Sequence, residues 1–225
     1  MVIGKKRESR LIFEMKRLFN RSDLEQSLMQ LCRAEPRFRS ILDQHGTPSL
    51  RKSPQGLEGL LMIVTEQFLS LQAAAAIWAR VRKRIEPFNA EAISKLSSEE
   101  LLGLGLSRAK TKTFQEAARC VLSGHLDFSA FERHDEENVT KQLCDLPGVG
   151  PWTADIYLLS VMGSADAWPA GDLALRIAVQ DFLKLNDRPE IKDMASLAEN
   201  WRPYRAVAAR LLWSHYRGLK GLKQA

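Results

Sequence analysis

Nine residues constrain this chain more than any other part of it: Leu146-Pro147-Gly148-Val149-Gly150-Pro151-Trp152-Thr153-Ala154. Two glycines stand two apart, a proline lies on either side, and apolar helix-forming sequence precedes and follows. Val139 to Leu146 reads as one helix running into this turn. Pro151 to Met162 reads as a second, with Pro151 at the first helical position, where a missing N–H costs nothing. Glycine at 148 and 150 is expected to permit positive φ and to leave the main chain bare for the approach of another backbone. The N–H groups of Gly148 and Gly150, and those up to Thr153 at the helix start, would then point outward with the helix dipole behind them. Such a turn is a site for a phosphate.

A tight turn between two core helices would use similar residues. Gly148-x-Gly150 also looks like the start of a dinucleotide fingerprint, but that motif needs a β-strand immediately before it. Lys141-Gln142-Leu143-Cys144-Asp145 has no β-branched or aromatic run. The spacing fits a helix–hairpin–helix, a module that holds a nucleic-acid backbone without reading bases.

A second block follows at Pro169-Ala170-Gly171-Asp172. Pro169 and Gly171 mark a loop, and Asp172 stands where an N-cap would sit for a helix beginning at Leu173. Asp172 as a cap and nothing more is one reading. The other uses the same placement: a carboxylate at a helix N-terminus accepts backbone N–H groups and stays ionised, which suits it to face a developing cation. The distances permit this. A helix from Pro151 to Met162 is about 18 Å long, and the loop from Gly163 to Gly171 reaches roughly 30 Å, enough to return to the hairpin end.

With these residues in place, the chain resembles the helix–hairpin–helix/Gly-Pro-Asp superfamily of DNA glycosylases, and within it the bacterial 3-methyladenine DNA glycosylase II branch. The likeness runs from about Gly56 to Gly218. It implies that Asp172 is the catalytic carboxylate and that the partner is double-stranded DNA with a damaged base. Trp152 stands where the bifunctional members carry a Schiff-base lysine, which implies a monofunctional enzyme. Phe68, in Glu66-Gln67-Phe68-Leu69-Ser70, matches the apolar residue that wedges into the duplex, although ordinary core is the alternative. Gly105, Ser107 and Lys110 resemble the family's Gly-x-Ser-x-x-Lys phosphate turn, and a plain solvated helix start would look alike. Trp213 matches an aromatic that stacks on the extruded base, with Trp152 and Tyr204 as further pocket candidates; a tryptophan at helical spacing also suits a core. The family further implies a monovalent cation, Na+ or K+, at hairpin carbonyls near Leu146 and Val149.

The remaining sequence is consistent with an all-α fold of two packed helical lobes and a cleft between them. Apolar residues recur at three and four, as in Leu57, Leu60, Leu61, Val64 and Phe68, and no stretch alternates long enough for a strand. The expected organisation is a weakly matched helical segment over 1–50, the glycosylase-like domain over 51–218 and a tail over 219–225. Helix breaks are expected near Pro36, Gly46-Thr47-Pro48, Pro54-Gln55-Gly56, Pro87, Gly124, Gly163 to Gly171 and Arg188-Pro189, and Ser70 should cap a helix after the break at 66–70. The net charge of +6 across 225 residues suits a polyanion. Basic residues gather at Lys5, Lys6, Arg7, Arg10, Lys16, Arg17 and Arg21, again over Arg80 to Arg84, and again at Arg108, Lys110 and Lys112. Cys32, Cys120 and Cys144 are too widely spaced for a zinc or iron–sulfur framework, so no cofactor is expected. No membrane span or export signal is read, and the expected state is a cytoplasmic monomer.

Cleavage of an N-glycosidic bond makes an oxocarbenium-like sugar, which a fixed carboxylate stabilises in the transition state. An alkylated purine leaves readily because it already carries charge, and that charge is drawn to aromatic faces. The function that the resemblance implies is monofunctional excision of alkylated purines such as 3-methyladenine, and this chemistry is consistent with it. A non-catalytic DNA-binding module and a bifunctional glycosylase/lyase are the competing readings.

Overall fold

The computed structural model describes residues 16–50 and 52–222. The basic residues Lys5, Lys6, Arg7 and Arg10 lie outside them. The described residues form α1 (Arg21–Ala34), α2 (Arg37–His45), α3 (Gly56–Glu66), α4 (Leu71–Arg84), α5 (Ala90–Ser94), α6 (Ser98–Gly103), α7 (Arg108–Leu122), α8 (Glu136–Cys144), α9 (Pro151–Ser160), α10 (Leu173–Leu183), α11 (Met194–Leu197) and α12 (Arg205–Leu219), with three short 3-10 turns. Strand-like pairing among the described residues is a single bridge between Arg17 and Ser164. None of these helices is long and apolar enough to cross a membrane.

Most helix starts are written as caps. Asn20, Ser70, Asn89, Ser97, Ser107, Asp135 and Asp172 each accept a backbone N–H of the first turn, satisfying a donor that the helix itself cannot. Asn20 and Ser97 complete reciprocal capping boxes with Asp23 and Glu100. The expected break at 66–70 falls between α3 and α4.

Two lobes result. In the first, α3 is the central element and packs against α4, α7 and α9. Its Leu60, Leu61, Ile63 and Val64 are fully buried, each side chain contributing about 1.5–3 kcal/mol by leaving water. In the second, α12 packs against α1, α2 and α10, so the first and last described helices build one lobe. Phe38, Phe182, Trp168 and Trp201 form an edge-and-face aromatic cluster inside it. The Gly163–Gly171 loop runs from α9 in the first lobe to α10 in the second, which places Asp172 where the lobes meet.

Phe68 departs from its expected periodicity. It continues the Leu57, Leu60, Leu61, Val64 spacing in sequence, but α3 has ended at Glu66, and Phe68 is fully exposed. The basic run on α4 is also more occupied than its sequence suggests. Arg82 pairs with Glu58, Arg84 pairs with Glu100, and Arg80 donates to the carbonyl of Leu104.

Candidate functional site

The hairpin joins α8 to α9. The Val149 N–H closes the turn on the Leu146 carbonyl at 3.1 Å. Gly148 has φ 83°, and a Cβ there would run into the Thr113 hydroxyl from α7. Gly150 is different. Its φ of −113° and ψ of 179° are extended backbone open to any residue, so the expectation of positive φ at both glycines holds only at 148. A Cβ on Gly150 would meet nothing within 4 Å. What glycine keeps there is open space over the α9 N-terminus, where Pro151 offers no N–H and no side chain caps the helix. The N–H groups of Trp152 and Thr153 precede the first intrahelical bond, from Ala154 to Gly150, and face outward with the dipole. The side chain of Thr153 does not contribute, because it is buried and its hydroxyl accepts from Gln67.

That Gln67 contact ties the hairpin to the loop before α4. The Gln67 amide donates to the Gly148 carbonyl at 3.1 Å and to Thr153 Oγ1 at 2.8 Å. From the other side, Lys110 Nζ donates to the carbonyls of Thr65 and Gln67, both at 2.8 Å. Its ammonium thus completes the C-terminal turn of α3 with two of its three donors. Burial lowers its pKa, and a cation at the negative end of a helix is favoured there. Held on both flanks, Phe68 sits at the tip with φ 58° and full exposure, beside the exposed Leu69 and Leu71. A bulky side chain in the left-handed region is a strained choice.

The turn before α7 brings Gly105, at φ 99°, against the Arg80 side chain, and Ser107 Oγ accepts the Lys110 N–H at 3.3 Å. Ser107 thus serves as cap, with the helix start open beyond it.

Asp172 caps α10, and its carboxylate gathers three donors. Oδ1 accepts the Leu175 N–H at 2.8 Å and the Trp213 indole N–H at 3.0 Å, while Oδ2 accepts the Trp152 indole N–H at 3.1 Å. The hairpin helix, the second lobe and the loop between them converge on one half-buried carboxylate. A carboxylate offers about four acceptor positions, so one on Oδ2 remains. Tyr204 does not join this cluster. Its hydroxyl accepts from Lys16 at 3.1 Å, and the Lys16 ammonium lies 4.5 Å from its ring centroid. It stands at the N-terminus of α12, nine residues and about 14 Å of helix before Trp213.

A turn further along α9, a polar cluster appears that the sequence did not announce. Asp155 is pushed up to about 7, chiefly by burial, with Arg205 opposing and Glu136 reinforcing the shift. Glu136 is also raised by burial and hydrogen-bonds the Ser164 hydroxyl. Asp166 takes a bidentate pair from Arg205 at 3.0 and 2.9 Å and a further bond from Arg202 at 2.7 Å. Only the acid-rich start of α8 hinted at it. Gln67 had no signal beyond its position beside Phe68.

A family described as "HhH-GPD superfamily base excision DNA repair protein" matches residues 61–203. The chain is 26% identical over 199 residues to an alkylbase DNA glycosidase-like protein of Schizosaccharomyces pombe, covering 85% of this chain and 93% of that one. Two relatives from Bacillus subtilis are matched over only 43% and 41% of their own lengths. Among solved structures, a DNA-3-methyladenine glycosidase from Bacillus halodurans superposes with a TM-score of 0.75 at 24% identity, covering 88% of this chain and 93% of that one. A 3-methyladenine DNA glycosylase of Schizosaccharomyces pombe, in complex with abasic DNA, superposes with a TM-score of 0.74 at 23% identity, covering 84% and 95%. At these identities the superpositions speak for the fold.

Proposed function

Because the chain belongs to the HhH-GPD superfamily of base-excision DNA repair proteins, we propose that it is a monofunctional DNA glycosylase that hydrolyses the N-glycosidic bond of alkylated purines in duplex DNA. The observation that carries this reading is the Asp172 carboxylate, fixed by two indoles and a helix N-terminus with one acceptor position left. Three N–H donors lock the orientation of its carboxylate. A locked anion stabilises an oxocarbenium-like sugar as positive charge develops at C1′, which lowers the barrier without reorganisation. The remaining Oδ2 position suits a hydrogen bond from the attacking water.

An alkylated purine is an already activated leaving group, since it takes the electron pair of the C1′–N bond and its positive charge is lost as the bond breaks. It needs no general acid. With their N–H edges turned to Asp172, Trp152 and Trp213 have faces, not edges, to present to a base, and a cationic base is held by such faces. Flipping the nucleotide costs a few kcal/mol, and Phe68 is placed to fill the gap. The open N-termini of α9 and α7 take phosphates of the backbone, which position without specifying sequence. At the hairpin, the Leu146 carbonyl already accepts from Val149 but keeps a second lone pair. Leu146 and Val149 would hold a monovalent cation there, which would add positive charge beside a phosphate.

A lyase reaction requires an amine at C1′. Trp152 occupies the position after the hairpin, and Lys110, the lysine fixed nearest the wedge, is committed to two carbonyls. The test is product analysis on duplexes carrying 3-methyladenine, 7-methylguanine, ethenoadenine, hypoxanthine or uracil. Free alkylated base, an intact abasic strand and no borohydride-trapped adduct are expected. Strand cleavage before alkali, a trapped complex, or no release from any alkylated duplex would overturn the reading.

A further inference from the structure

At the far ends of α3 and α9 from the hairpin lies a cavity of about 550 Å3. With ten residues in α9, it is about 15 Å from the phosphate-binding turn. Phe128, Tyr157, Leu50 and Met162 give it apolar walls. Its unusual member is Arg210, which lines the cavity from α12 while only 5% exposed. A guanidinium carries five N–H donors. Here the bonds are two, to the carbonyl of Leu159 at 3.1 Å and to that of Ser49 at 3.4 Å, and the buried Nε has no partner. No carboxylate among the described residues pairs with Arg210. Burial lowers its pKa to about 10, which still leaves it charged at neutral pH. Arg17 and Lys52 line the same cavity without a carboxylate partner among the described residues, and Lys52 donates to the Phe19 carbonyl. Glu132, exposed, is the acid among the lining residues.

A buried cation without a counter-charge is costly, and proteins retain one where something pairs with it. A lined void of this volume is of the size that holds a small ligand. We propose that the cavity is a second ligand site, which binds a small oxyanion borne on an apolar or aromatic body, with the anion against Arg210 and the body between Phe128 and Tyr157. The site is separate from the Asp172 cleft and does not depend on the chemistry assigned there.

The probes are phenyl phosphate and benzoate, which share the apolar ring and differ in the anion, with inorganic phosphate as the ring-free control. Calorimetry and thermal melts on the full chain should show one site per chain for an aromatic anion, bound more tightly than inorganic phosphate. Arg210→Met should weaken it about tenfold or more, the loss expected for a hydrogen bond to a charged group. If that variant does not fold, Lys52→Glu, at an exposed position, should weaken binding several-fold with the melting temperature of the free protein unchanged. Undamaged duplex should not compete. No binding by either aromatic anion, equal affinity in the variants, or displacement of the probe by duplex would overturn the proposal, the last by placing the anion on the DNA-binding turns.

Discussion

At the scale of single residues, the molecule places polar geometry and strain at the same cleft. Asp172 reads as an N-cap in the sequence, and it is one. What the sequence does not disclose is that two tryptophans far apart in the chain turn their N–H groups onto it. Tryptophan spacing carries no information about where an indole N–H points, so both were legible as aromatic surface but not as donors. Phe68 shows the converse. Its spacing imitates the core stripe of α3, and only the capping serine at 70 marks the helix as already ended. At φ 58° the phenylalanine gains nothing from packing, being fully exposed, and a left-handed conformation costs a non-glycine residue roughly 1–2 kcal/mol. Phe68→Gly relieves that strain, offset in part by the greater freedom of glycine in the unfolded chain. Denaturant unfolding should show stability unchanged or raised by up to about 1 kcal/mol, while single-turnover excision slows at least several-fold. A variant that melts lower and excises normally would show that Phe68 has a structural role and no part in extrusion.

At the scale of elements, the two hairpin glycines separate into different jobs. Gly148 is required by the fold, since its φ is positive and a side chain would strike Thr113; Gly150 is required by nothing inside the molecule. Gly148→Ala should therefore lower the melting temperature. Gly150→Val should leave the melt close to that of the parent and weaken binding to damaged and undamaged duplex alike, because it fills the space over the α9 N-terminus. Equal thermal damage from both substitutions, or a Gly150→Val defect confined to one lesion, would contradict this division. The helices themselves were largely readable: caps at Ser70, Ser107 and Asp172 and breaks at proline and glycine are local signals. The joints between elements were not. Gln67 bridging to Gly148 and Thr153, and Lys110 closing α3, depend on which helices become neighbours, and a lysine three residues after a serine looks the same whether it faces a phosphate or a carbonyl.

At the scale of the whole molecule, chain topology gathers the site from both lobes, and the same convergence buries charge. Asp155 lies close to Glu136 on α8 and Arg205 at the start of α12, and burial raises it to about 7. Its folded pKa exceeds its unfolded value, so its contribution is fully present below about pH 4 and is lost as pH rises toward 7. The melting-temperature gap between Asp155→Asn and the parent should therefore move in favour of the variant from pH 5 to pH 8; a gap constant across that range would mean that Asp155 is not held protonated. The all-helical architecture was legible because it rests on periodicity and caps, whereas this buried cluster comes only from the meeting of α8, α9 and α12. The central claim concerns Asp172, and one measurement addresses it directly: single-turnover release of 7-methylguanine from duplex DNA by Asp172→Asn, paired with equilibrium binding to the same duplex. Loss of a locked carboxylate facing the developing cation predicts a rate lower by about a hundredfold or more, with duplex affinity within a few-fold of the parent. A folded Asp172→Asn protein that releases the base within a few-fold of the parental rate would contradict the account.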